Sequence, residues 1–157
     1  MILTGVSMLV VVLDQVTKFL ISESLQLNQS IPLWPDYFYF TYLQNRGTAF
    51  GFMSDMNSDI RIPIFIVITI TAAFIIYSYQ RVIHEENLAS QIALGLIWGG
   101  AMGNLVDRLV YGKVVDFIDV RYDDSRLAFN AADFFVTLGL LYLFFEFVIK
   151  RNQKKPA

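Results

Sequence analysis

The sequence has no cysteine and only one histidine, His84, among its 157 residues. Without thiols there is no disulfide, no thiolate-bound metal and no cysteine nucleophile. A single histidine leaves little from which to build a histidine metal site or a serine–histidine triad. Net charge is sparse as well: 12 basic against 14 acidic side chains leave −2. No basic run interleaved with aromatics appears, so nucleic acid is not an expected partner. Low-complexity segments and internal repeats are also missing.

Hydrocarbon is what the chain has in abundance. Apolar residues make up 55% of it, and the mean hydropathy is +0.51, too high for an ordinary water-soluble domain. The length predicts one domain, residues 1–157, at roughly 150 residues per domain. Residues 62–80 and 87–106 carry no charge over 19 and 20 positions. At about 1.5 Å of rise per residue each spans about 30 Å, the thickness of a bilayer's hydrocarbon core. Two further spans are less clean. Residues 2–21 are interrupted by Asp14 and Lys18, and residues 132–149 contain Glu146. The first lacks the basic leader and A-x-A site of a signal peptide, so four transmembrane helices are expected.

Four spans put both termini on one side. The tail "KRNQKKPA" carries Lys150, Arg151, Lys154 and Lys155 and favours a cytoplasmic end, with Arg81 on the same side. Arg46, Arg61, Arg108, Lys113, Arg121 and Arg126 then fall outside, so the orientation rests on the concentration of charge in the tail. The outer segment 22–60 contains "YFYFTYLQNRGTAFGFM", which predicts a strand–turn–strand about Asn45-Arg46-Gly47 at the membrane interface. Its plainer reading is a passive aromatic anchor. His84 falls in a short inner loop, where it is read as solvated.

Several residues carry chemistry. Gly95, Gly99 and Gly103 recur every four positions, the spacing of close helix packing in lipid. Asn104, Asp107 and Arg108 follow at the end of that span, where polar groups are paired, functional or markers of the interface. Asp14 and Lys18 share a helical face and form a natural ion pair; Lys18 with Ser22 is a serine–lysine alternative. Asn130 precedes Asp133 by three residues, so Asn130 is read as a helix cap with Asp133 in the first turn. Twelve uncharged residues follow Asp133. Capping leaves Asp116 unexplained, since it sits inside the apolar run "VVDFI". Two carboxylates brought together at a membrane surface share a proton, one serving as acid while the other activates water. The partner of Asp133 is not singled out by this reasoning: Asp107, Asp116, Asp119, Asp123 and Asp124 all qualify, the last two as turn residues.

The blocks "DQVTK" (14–18), "NRGTAF" (45–50), "GGAMGNLVDRLVYGKVVDFIDV" (99–120) and "FNAAD" (129–133) resemble those of bacterial lipoprotein signal peptidases, the signal peptidase II family. The likeness runs from the first span to the last. It implies an all-α membrane protein of four transmembrane helices with a small extracytoplasmic β-cradle. It places the catalytic pair on Asp116 and Asp133, with Asn104, Arg108 and Asn130 around it and Asp14, Lys18 and Asn45 as further motif positions. Thr48 stands where alanine is common in that family. The implied activity is removal of signal peptides from diacylglyceryl-modified prolipoproteins, just before the lipidated cysteine. The implied enzyme is an aspartyl endopeptidase with neither cofactor nor metal. It is expected as a monomer in the bacterial cytoplasmic membrane, both termini inside and the active site near the outer face. Its partners are the lipid-modified substrate and membrane lipid. Competing readings are a proton-coupled transporter and a structural subunit of a membrane complex; the acids near helix ends and the missing inverted repeat argue against transport.

Overall fold

The computed structural model describes residues 1–47, 53–81, 87–123 and 125–153. Thr48, His84, Asp124, Lys154 and Lys155 lie outside them. Four long helices carry the fold: α1 (Ile2–Ser24), α2 (Ser58–Gln80), α3 (Leu88–Tyr111) and α4 (Ala131–Gln153). Each has 23 or 24 residues and is apolar enough to cross a membrane. They extend beyond the expected spans: α1 ends at Ser24, α2 begins at Ser58, and α3 runs to Tyr111, so Asn104, Asp107 and Arg108 lie within its last two turns. The stop signals are local. Asn57 and Asn87 cap α2 and α3 by accepting from the Asp59 and Ser90 amides, and α3 closes at Gly112, whose φ of 68° is costly for any other residue.

Helix α3 is the spine, with α1 and α4 packed closely along it and α2 leaning on it. The glycine spacing explains the closeness. A Cβ on Gly99 would lie 2.7 Å from the Ser7 carbonyl oxygen, and one on Gly100 would lie 2.5 Å from that of Ala132. The buried stripe of α1, Ser7, Val10, Asp14 and Lys18, faces this seam at helical spacing. Glu146, which interrupts the last span, is satisfied at the other end of the bundle by Asn87, Ser90 and Lys150, each at 2.7 Å.

Strands β1 (Ser30–Trp34), β2 (Phe38–Asn45), β3 (Val114–Tyr122) and β4 (Ser125–Phe129) form one antiparallel sheet in sequence order. Half of it, β3 and β4, lies between α3 and α4. The expected strand–turn–strand about Asn45-Arg46-Gly47 has its first strand in β2, and residues 48–52, where the second would run, lie outside the described residues. The β1–β2 turn falls at 35–37, with Asp36 at φ 72°, while β2 ends at Asn45 and pairs with β3.

Alternation along β3 puts Asp116 and Asp119 on opposite faces. Asp119, fully buried, collects hydrogen bonds from Thr41 (2.7 Å), Arg121 (2.6 Å) and Arg126 (2.6 Å). Arg121 also reaches Ser30 at 2.8 Å, so this cluster ties all four strands together. Burial alone would raise the Asp119 carboxyl, but the bonds from Arg126, Arg121 and Thr41 outweigh it and hold it at about 2.

Candidate active site

Asp133 enters through the start of α4. The Asn130 side-chain oxygen accepts from the Asp133 amide at 3.0 Å, and an Asp133 carboxylate oxygen accepts from the Asn130 amide at 3.3 Å, a reciprocal cap. Asn130 is completely buried, and its NH₂ group is free to face the interior. That group donates to Asp116 Oδ1 at 2.8 Å and to Asn104 Oδ1 at 3.1 Å. Asn104 in turn donates to Asp133 Oδ1 at 2.8 Å. From the sheet, Asn45 donates to Asp116 Oδ2 at 2.9 Å, while its own oxygen accepts from the Gly47 amide at 2.9 Å. The pairing of Leu43 with Asp116 brings the end of β2 alongside this carboxylate.

Both acids line a cavity of about 550 Å³, walled also by Asn45, Asn104, Arg108, Phe129 and Val136. Burial, the largest influence, pushes the Asp116 carboxyl up to about 6; the Asp133 charge adds to this, and bonds from Asn45 and Asn130 restrain it. Arg108 donates to the backbone oxygens of Asn104 (3.2 Å) and Gly47 (3.1 Å) and stacks 4.0 Å over the Phe65 ring. It therefore joins α3 to the chain after β2 and to α2.

Beneath the pair lies a second buried cluster. Lys18 is 2.7 Å from Asp14 Oδ2 and 2.9 Å from Asp107 Oδ2, and it donates to Asn104 Oδ1 at 2.9 Å. Asp14 Oδ1 accepts from the Ala132 amide at 2.9 Å, so α1 helps to cap α4.

All eight residues singled out by the resemblance thus meet in one connected network: Asp14, Lys18, Asn45, Asn104, Arg108, Asp116, Asn130 and Asp133. Of the other acids, Asp107 joins this network through Lys18 without touching Asp116 or Asp133, Asp119 lies on the far face of the sheet, and Asp123 is in the β3–β4 turn with φ 51°. The serine–lysine alternative is not assembled, because Ser22 donates to the Phe19 carbonyl while Lys18 turns inward to acidic partners. Sequence reasoning passed over Gln15, which donates to Asp107 at 2.8 Å and to Asp14 at 3.2 Å. Its place between Asp14 and Lys18 was the available signal. The Phe65 ring and the Ala132 amide had none.

If Asn130 and Arg108 orient the acids rather than react, Asn130→Ala and Arg108→Ala are expected to slow substrate turnover without ending it. The lost cap at Asn130 adds about 0.5–2 kcal/mol of instability. Turnover by folded protein, beside thermal unfolding, checks this; complete loss in well-folded Asn130→Ala would give Asn130 a chemical role.

The model of the family described as Signal peptidase (SPase) II matches residues 6–149. A lipoprotein signal peptidase of Geobacter metallireducens is 41% identical, covering 99% of this chain and 93% of its own length. One from Pseudomonas putida is 35% identical over 96% of this chain and 89% of its own. A solved bacterial membrane enzyme, determined by the in meso method at 2.3 Å resolution, superposes with a TM-score of 0.80 at 30% identity, covering 97% of this chain and 90% of that one. With its four spans, its small sheet and a match over nearly its whole length, the chain belongs to the signal peptidase II family.

Proposed function

We propose that the chain removes signal peptides from diacylglyceryl-modified prolipoproteins, cleaving before the lipidated cysteine, with Asp116 and Asp133 as an aspartyl dyad. The observation that carries this reading is that both carboxylates line one cavity and are bridged by Asn130 and Asn104. One carboxylate takes a proton from water as the water oxygen attacks the scissile carbonyl carbon. The other, protonated, donates to the carbonyl oxygen; as the C–N bond of the tetrahedral centre breaks, the first acid gives its proton to the leaving amine and the second recovers one from a hydroxyl of the centre, which restores the pair. Burial that lifts Asp116 to about 6 suits it to hold a proton near neutral pH. The cavity is walled by Phe134 and Val136 of α4 and by Leu127 and Phe129 of β4, apolar surface suited to acyl chains.

Incubation of the purified protein in lipid bicelles with a diacylglyceryl-modified precursor peptide tests the activity. The expected product begins at the lipidated cysteine, and a precursor left whole would overturn the proposal. Because the proposed chemistry needs no metal, cleavage is expected to continue undiminished in strong chelator; loss restored by added zinc would replace the dyad with carboxylate-bound metal.

In the proposed orientation both ends of the chain are cytoplasmic and the dyad lies near the outer face. Single cysteines at Asn57 or Ser125 are then expected to react with an impermeant thiol reagent in intact cells, and one at Gln153 is not. Labelling at Gln153 alone would invert the topology.

A further inference from the structure

An asparagine side chain has two nearly isosteric ends, one a donor and the other an acceptor, so its orientation is set by what claims the oxygen. In this site Asn45 Oδ1 is claimed by the Gly47 amide and Asn130 Oδ1 by the Asp133 amide. Both are backbone groups in fixed positions. Asn104 Oδ1 is claimed differently, by the Lys18 ammonium at 2.9 Å and the Asn130 NH₂ at 3.1 Å. An ammonium has three donors and no acceptor, so only the oxygen end of Asn104 can face it. A charged donor makes the stronger of the two bonds.

Lys18 is well placed to act on Asn104. It is 4% exposed and is held from α1 by Asp14 and from α3 by Asp107. Two carboxyl groups stand against one ammonium, more acid than a single ion pair with Lys18 requires. The third ammonium contact is the one that reaches toward the dyad.

We propose that Lys18 is a positioning residue of the dyad, which turns the Asn104 amide so that its NH₂ end faces Asp133. All four oxygens of the pair then receive N–H donors: Asp116 from Asn130 and Asn45, and Asp133 from the Asn104 side chain and the Asn130 backbone. Donors on every oxygen are the arrangement that favours an ionised carboxylate over a protonated one. Without Lys18 only the Asn130 NH₂ holds the Asn104 oxygen, so the amide is held less firmly and its carbonyl can turn to Asp133 part of the time, which favours the protonated acid. The charged groups around the pair are Lys18 and Asp14 from α1, Asp107 and Arg108 from α3, and Arg61 from α2 behind Arg108.

Lys18→Met alone leaves Asp14 and Asp107 without their cation and invites misfolding. The double variant Lys18→Met/Asp107→Asn removes the donor to Asn104 together with one of the two acids, leaves Asp14 the Ala132 amide and Gln15 as donors, and so is the informative protein. Two readouts are compared with the unaltered chain in proteoliposomes. The first is the pH profile of prolipoprotein cleavage, which rests on the aspartyl reading above. The second is infrared titration of the protonated-carboxyl band, assigned by its loss in Asp133→Asn, which needs no substrate. The acid limb of cleavage and the appearance of that band are both expected to move up by about half a pH unit or more. A slower enzyme with an unmoved limb and band would make Lys18 merely structural and overturn the proposal. Should the unaltered chain fail to cleave at all, the aspartyl reading falls, and the infrared titration still decides the role of Lys18.

Discussion

Asp116→Asn and Asp133→Asn are each expected to abolish cleavage, and the double variant to be no worse than either alone. Two groups that share one proton act as a unit, so removing either carboxyl removes the step, and the effects do not add. The substitutions nearly preserve size, which makes survival of the fold part of the expectation. An Asn at 133 forfeits about 0.3–1 kcal/mol of interaction with the α4 dipole. At 116 the new NH₂ must face either Asn45 or Asn130, both donors here, at a cost on the order of 1 kcal/mol. Relief from burying a carboxylate offsets part of that cost. Asp119→Asn is the comparison: it weakens the four-strand cluster on the opposite face of β3, and the protein that remains folded is expected to keep most of its turnover. Cleavage at a normal rate by Asp133→Asn would reduce Asp133 to a capping residue, and a dead but folded Asp119→Asn or Asp107→Asn would move the dyad elsewhere.

Gly103→Ala is the smallest change expected to have a large effect. The added methyl carbon would lie 2.5 Å from Asp14 Oδ2 and 3.1 Å from its Cγ. Real Cβ atoms do not approach an oxygen so closely, so the Asp14 carboxylate must shift. It has little freedom to do so, since Oδ2 holds Lys18 at 2.7 Å and Oδ1 holds the Ala132 amide at 2.9 Å. Either the buried ion pair or the start of α4 gives way. Overpacking of this kind costs about 1–3 kcal/mol, and weakening a buried ion pair adds to it. Thermal unfolding in detergent is expected at clearly lower temperature, with turnover reduced because Asp133 sits in the disturbed turn. Gly5→Ala is the matched control, because a methyl at Gly5 meets nothing within 4 Å. Equal stability of the two variants would mean that the α1–α3 seam yields more readily than its geometry allows.

How far the sequence could be read depends on which residues carry local signals. Helices were legible because an uncharged run of bilayer length admits few other solutions. The Asn130–Asp133 cap was legible from its spacing of three. Strand β3 was harder. "VVDFIDV" is apolar at five of seven positions, and its alternation serves two buried faces, so no polar-out pattern betrays a strand. The turn at 35–37 joins β1 to β2 inside the same aromatic segment, where Asn45-Arg46-Gly47 offered the stronger turn chemistry and drew attention from it. At the site, local reasoning found two acids in need of partners, and only the family motifs singled out Asp116. The pairing of β2 with β3 and the reach of Lys18 to Asn104 join residues 71 and 86 positions apart, which no local window spans.

The bond from the Ala132 amide to Asp14 joins residues 118 positions apart, tying the first helix of the chain to the last. This bears on the order of biosynthesis. While α1, α2 and α3 are already in the bilayer, Asp14 lacks one of its donors, Asp116 lacks Asn130, and Asp133 has not yet been made. Closing so long a loop comes late in assembly because its entropy is lost before any contact repays it. On the proposed dyad, a chain truncated before α4 lacks Asn130 and Asp133 and is expected to be inactive however well its first three helices insert.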